Sequence, residues 1–146
     1  MPSKSKLIVL SLILGTAVVL AVPASAGGQE ISVTAKQKKI CVQAKKRYDK
    51  LYPDAKKGGT VTVKLYKYTF CPLNLTVKKG TTVRWVNVDK RTSHSVWMKE
   101  ANINESDRFF PEEIWQHTFT ESGAYPYLCG PHWKEQDMRG FVKVTE

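Results

Sequence analysis

Gly123-Ala-Tyr-Pro-Tyr-Leu-Cys-Gly-Pro-His-Trp-Lys-Glu-Gln-Asp-Met-Arg-Gly-Phe-Val-Lys-Val144 is a strand-like run, a polar loop and a second strand-like run. The loop carries a thiol (Cys129), an imidazole (His132) and a thioether (Met138) within ten residues. Soft sulfur donors beside an imidazole suit copper better than magnesium or calcium, which prefer oxygen. A second imidazole would complete such a set. Of three histidines, His94 opens another strand-like run, whereas His117 lies in Trp115-Gln-His-Thr-Phe119 and is expected to point outward and bind nothing. The candidate ligands are therefore His94, Cys129, His132 and Met138.

Outward from that loop the chain reads as short strands. Val61, Val63 and Leu65 alternate with Thr62, Lys64 and Tyr66, the period-two pattern of a half-buried strand. Leu73, Leu75 and Val77 alternate next, before a turn at Lys78-Lys79-Gly80. Val83 to Val88, Ser95 to Met98, Trp115 to Thr120, Tyr125 to Leu128 and Phe141 to Thr145 make the rest, and 100–113 reads as a long irregular connection. Many short strands with Gly and Pro punctuation predict an all-β antiparallel sandwich or barrel over 60–146.

Before the strands come two other textures. Lys4 and Lys6 precede an apolar run from Leu7 to Val22, and Ala24-Ser25-Ala26 is a small-residue cleavage pattern. Residues 1–26 are thus expected to be a signal peptide cleaved after Ala26, which places the mature chain in the periplasm. The apolar run is short for a membrane span, which needs about 20 residues. Ile40, Ala44, Tyr48 and Leu51 recur at helical spacing, so 31–52 is predicted helical, with Cys41 beside the apolar stripe and Pro53 at its end. Lys56-Lys57-Gly58-Gly59 reads as a linker, making 27–59 a basic, helical N-terminal extension.

The chain has 146 residues and a formal charge of +10, which falls to +8 when Lys4 and Lys6 leave. The extension from Gly28 to Gly59 holds nine Lys/Arg against three acidic residues, while from Thr60 onward twelve face ten. This helix is either a solvated amphipathic element lying on the main domain or a basic docking surface. An exported basic protein is expected to meet acidic protein partners rather than nucleic acid, with no stable membrane insertion after cleavage. Three cysteines leave at least one unpaired. With Cys129 as a ligand, Cys41 and Cys71 either bridge, the expectation in an oxidising compartment, or stay as two buried thiols.

Four ordered segments carry a resemblance: Phe70-Cys-Pro-Leu-Asn-Leu-Thr-Val-Lys-Lys-Gly-Thr-Thr-Val-Arg-Trp-Val-Asn-Val88, His94-Ser-Val, Gly123 to His132, and Met138-Arg-Gly. Together they are similar to the cupredoxins, in particular the plastocyanin, pseudoazurin and amicyanin group of small blue copper proteins. The resemblance covers 60–146 and implies a Greek-key β-sandwich holding one type 1 copper ion on His94, Cys129, His132 and Met138. It also implies a non-enzymatic, monomeric carrier of single electrons between redox proteins such as c-type cytochromes, a dehydrogenase or an oxidase. His132, ringed by Pro131 and Trp133, would be the electron port, with Tyr127 lining the nearby surface.

Two departures from that pattern stand out. Five residues (133 to 137) separate His132 from Met138, more than in plastocyanin-like or amicyanin-like loops, so Gln136 and Glu135 compete for the axial position. Ser95 follows the first histidine where many relatives carry Asn, and it is expected to brace the ligand loop less. The alternative function is periplasmic copper handling without electron carriage. Such proteins tend to be rich in Met or His clusters, and three Met with three His offer that reading little. Multicopper oxidases need His-x-His pairs, of which the chain has none. A dinuclear copper site needs two loop cysteines, and the chain has only Cys129 there.

Overall fold

The structure is a computed structural model that describes residues 28–55 and 60–146. The expected signal peptide and the 56–59 linker lie outside the described residues. Two sheets face each other. One has the order β2-β1-β4-β5, built from β1 (Val61–Tyr66), β2 (Thr69–Cys71), β4 (Thr82–Asn87) and β5 (Ile114–Thr118). The other has the order β3-β7-β6, from β3 (Asn74–Lys78), β6 (Gly123–Leu128) and β7 (Arg139–Thr145). The all-β sandwich with an N-terminal helix is as read from the sequence.

The pairing is not purely antiparallel as expected. β1 runs parallel to β4 and β3 parallel to β7, while the other pairs are antiparallel. The cause is connectivity. After β2 the chain crosses to the second sheet as β3 and returns as β4 beside β1, so these neighbours are not joined by a hairpin.

Period-two patterning fills the space between the sheets. Val63, Leu65, Phe70, Val83, Trp85, Val96, Met98, Phe119 and Val142 are buried in one cluster. Each such large side chain contributes about 1.5–3 kcal/mol by leaving water. Tyr127 belongs to this cluster, with its ring 4.7 Å from Phe70 and 5.6 Å from Trp85. It is thus core rather than surface lining, which corrects the expectation from resemblance. Any β-carbon at Gly140 would meet the Tyr127 ring at 2.2 Å, so only glycine lets β7 pass beside that ring.

Helix α1 spans Ala35–Leu51, shorter at its start than the predicted 31–52. Its start is fixed by a capping box, with Thr34 and Gln37 each accepting from the other's backbone N–H. The stripe Ile40, Ala44, Tyr48 and Leu51 packs with Cys41 on Cys71, Val86 and Val88. This explains why β4 loses its alternation at Val86: both faces are covered there. A Cys41–Cys71 disulfide ties the helix to β2, as expected from the cysteine arithmetic. No described helix is long and apolar enough to cross a membrane.

Ser95 to Met98 is not the regular strand that was predicted. His94, Trp97 and Met98 make isolated bridges to Phe109, Leu128 and Ile103. Between them, the Ser95 N–H donates to the Cys129 sulfur and the Val96 N–H to the Ser106 hydroxyl. Two ladder donors are thereby used on side chains. β2 was not anticipated either, because the turn before it, Lys67-Tyr68, has positive φ at both residues without the Asn-Gly or Asp-Gly that advertises such a turn.

Candidate metal centre

Three side chains from two segments meet at one end of the sandwich. The Cys129 sulfur lies 3.7 Å from Nδ1 of His94 and 3.3 Å from Nδ1 of His132. The three donor atoms all fall within 4.8 Å of one another. His94 and Cys129 are fully buried, and Cys129 is a free thiol. His117 is elsewhere: it is half-buried on β5, stacked on Trp115 with ring centroids 5.9 Å apart and edge-on to Phe119. It faces its aromatic neighbours rather than pointing outward, and stays outside the cluster.

Each histidine presents Nδ1 for a reason that can be traced for His94. Its Nε2–H donates to the Asp89 carboxylate at 3.0 Å, leaving the lone pair on Nδ1 beside the thiol. Asp89 is itself held, accepting from the Lys67 N–H at 3.0 Å, and its own N–H donates to the Asn87 side chain. Burial pushes the His132 pKa down, helped by His94 and Arg108. The lowered pKa favours the neutral, metal-ready form of His132. Burial pushes the Cys129 thiol up, and the N–H and O–H groups of Ser95 pull it back in part.

The extra length between His132 and Met138 is taken up as one helical turn, α2 (Trp133–Gln136). The His132 and Trp133 N–H groups donate to the Cys129 carbonyl, and the Gln136 N–H to the His132 carbonyl. Asp137 then adopts the left-handed conformation, with φ 50°, one that Asp tolerates better than most residues. The chain re-enters the core at Met138, whose carbonyl accepts from the Cys129 N–H at 3.0 Å. Met138 is buried, whereas Glu135 and Gln136 are exposed.

Ser95 braces the loop more than its type suggested. Its buried hydroxyl accepts from the Gly130 N–H at 3.0 Å and donates to the Glu105 carboxylate at 2.6 Å. A β-carbon at Gly130 would fall 1.8 Å from that carboxylate, so the bridge requires glycine there. Glu105 sits in the irregular 100–113 connection, and no spacing signal marked it. Tyr68 was also missed. Its ring stands edge-on to His132 at 4.9 Å and to His94 at 6.4 Å, on a turn the sequence does not announce.

A buried free thiol beside two imidazole Nδ1 atoms, with Met138 buried where the loop re-enters the core, is a set of residues that fits copper. Carried at the end of a two-sheet sandwich, they define the cupredoxin class of copper protein. Comparison with known proteins agrees. The family model of copper binding proteins of the plastocyanin/azurin family matches residues 58–145. The chain belongs to that family, and its cofactor is copper. Amicyanin from Paracoccus versutus is 32% identical over 91 residues and amicyanin from Paracoccus denitrificans 34% over 90. These matches cover 60% and 59% of this chain, and the chain spans 66% of the length of each relative. A solved structure of an oxidized amicyanin mutant superposes with a TM-score of 0.54 at 31% identity, covering 60% of this chain and 84% of that one. A purple cupredoxin from Nitrosopumilus maritimus gives 0.52 at 27% identity, covering 58% and 99%.

Proposed function

We propose that this chain is an exported blue copper protein that carries single electrons between redox protein partners. The proposed ligands are His94, Cys129, His132 and Met138. The observation that carries this reading is the buried free thiol of Cys129 between two Nδ1 atoms at 3.7 and 3.3 Å. Bound copper supplies one-electron exchange, for which a thiolate and a thioether beside two imidazoles serve both oxidation states. The protein's part is to hold the donors still. Asp89 fixes the His94 ring, the Ser95 N–H donates to the thiolate, and the Ser95–Gly130–Glu105 bridge anchors the loop. Donors held in one arrangement need little rearrangement when the charge changes.

Met138, rather than Glu135 or Gln136, would be the fourth residue to hold the copper, because it is buried at the loop's return while those two lie in solvent. Export to the periplasm, after cleavage at Ala26, is supported by the Cys41–Cys71 disulfide, since such bonds persist in oxidising compartments. The domain is taken as 60–146, with 27–59 as an accessory extension. Electrons are proposed to pass at the half-buried His132 edge to an acidic partner, such as a c-type cytochrome, without enzymatic turnover. A redox titration of the copper-loaded protein tests the carrier role. It should show one reversible electron per chain, and an irreversible or absent couple would contradict it.

A further inference from the structure

The helical extension lies outside the family's sandwich, and its placement gives it a use. On α1, Lys36, Lys39, Lys46 and Lys50 stand at −7, −4, +3 and +7 from Gln43, so all share its face, and all four are exposed. The underside of that face reaches the metal end of the sandwich. Gln43 accepts from the Lys67 ammonium at 3.0 Å, and the Arg47 guanidinium donates to the Val88 carbonyl. Val88 directly precedes Asp89, the partner of His94. Lys67 directly precedes Tyr68, a residue 39% exposed whose ring centroid lies 4.9 Å from that of His132. The lysine face, Lys67, Tyr68 and the His132 edge thus follow one another around one rim.

We propose that this rim is a single docking surface for the acidic face of a redox protein, with the α1 lysines gripping carboxylates while the partner's redox group approaches Tyr68 and His132. The proposal rests on the carrier reading above. Charge complementarity commits it to an acidic protein: the extension carries a surplus of six positive charges, whereas the sandwich is close to balance. The disulfide and the Ala44 contact hold the helix against the sandwich, so the lysines are presented at a fixed distance from the port rather than on a loose tail. Tyr68 supplies an aromatic body with a polar tip at the centre, a residue type favoured in interfaces.

The test compares two charge reversals of equal size in the full copper-loaded protein. Lys39→Glu with Lys46→Glu alters the proposed surface. Lys78→Glu with Lys79→Glu alters the β3–β4 turn, at the far end of β4 from Val88, about 20 Å away at strand rise. At 0.1 M ionic strength a charge is largely screened beyond about 10 Å. The probe is hexacyanoferrate(III), which takes one electron from the reduced protein and becomes hexacyanoferrate(II). The helix pair should slow this reaction by about tenfold, the scale of electrostatic steering, and the far pair by less than about twofold. Decaglutamate should inhibit the parent protein and leave the helix variant unaffected. Equal slowing by both pairs, or no competition by decaglutamate, overturns the proposal while the copper spectrum stays intact. Loss of a reversible copper couple in the parent protein would instead overturn the carrier reading beneath it.

Discussion

The ligand loop, residues 129–138, and helix α1 are fastened to the same sandwich by different means. The loop is held by backbone hydrogen bonds and buried side chains: Cys129 N–H to Met138, Gly130 N–H to Ser95, and Met138 returned to the core. The helix is held by one disulfide, a small apolar patch centred on Ala44 and a few side-chain hydrogen bonds, Arg47 to the Val88 carbonyl and Lys67 to Gln43 among them. The difference separates two properties. Changes in the loop should alter the metal site, whereas changes in the helix should alter stability and association and leave the metal site alone.

The largest effect is expected at the loop. Cys129→Ala removes the one soft anionic donor, so the colour of the Cu(II) protein should vanish while circular dichroism keeps the sandwich. On the helix side, replacing Cys41 and Cys71 by Ser should lower stability by about 2–4 kcal/mol, because the bond closes a loop of about thirty residues. Denaturant titration would read that loss, and the absorption spectrum should not move. A shifted spectrum would mean that the two regions are coupled.

Smaller effects sharpen the same division. Ser95→Ala leaves the Gly130 N–H without its acceptor, at a cost of about 1–3 kcal/mol, and should shift the spectrum as well as the melting temperature. Asp89→Asn removes negative charge from beside His94 and should raise the reduction potential. A tenfold change in the redox equilibrium corresponds to about 59 mV for one electron, and a shift of that order is expected by voltammetry. The pH dependence follows from the thiol. Burial raises the Cys129 pKa, so the apoprotein holds a thiol at neutral pH that must lose its proton to a metal. Apparent copper affinity should therefore rise with pH, by roughly tenfold per unit while the thiol is protonated. Competition with a chelator at several pH values measures it.

How much of this was legible depends on what kind of interaction each residue makes. Alternation at Val61 to Tyr66 and the stripe Ile40, Ala44, Tyr48 and Leu51 announce themselves because burial follows a period. The meeting of Cys129 with His132 was legible because a thiol and an imidazole at that spacing in one loop are rare together. Tyr68, Glu105 and the role of Ser95 were not, since each acts across the fold on a partner ten or more residues away, through a turn or a loop that has no periodic signal. The helical turn at Trp133–Gln136 was hidden for the opposite reason: four residues are too few for any helical period to show, yet they reconcile the long loop with a buried Met138.

The absorption and electron paramagnetic resonance spectrum of the Cu(II)-loaded protein tests the central claim most directly. An intense thiolate-to-copper band, blue or green, with a narrow copper hyperfine splitting is the predicted result. A colourless Cu(II) protein with an ordinary, wide hyperfine splitting would contradict it.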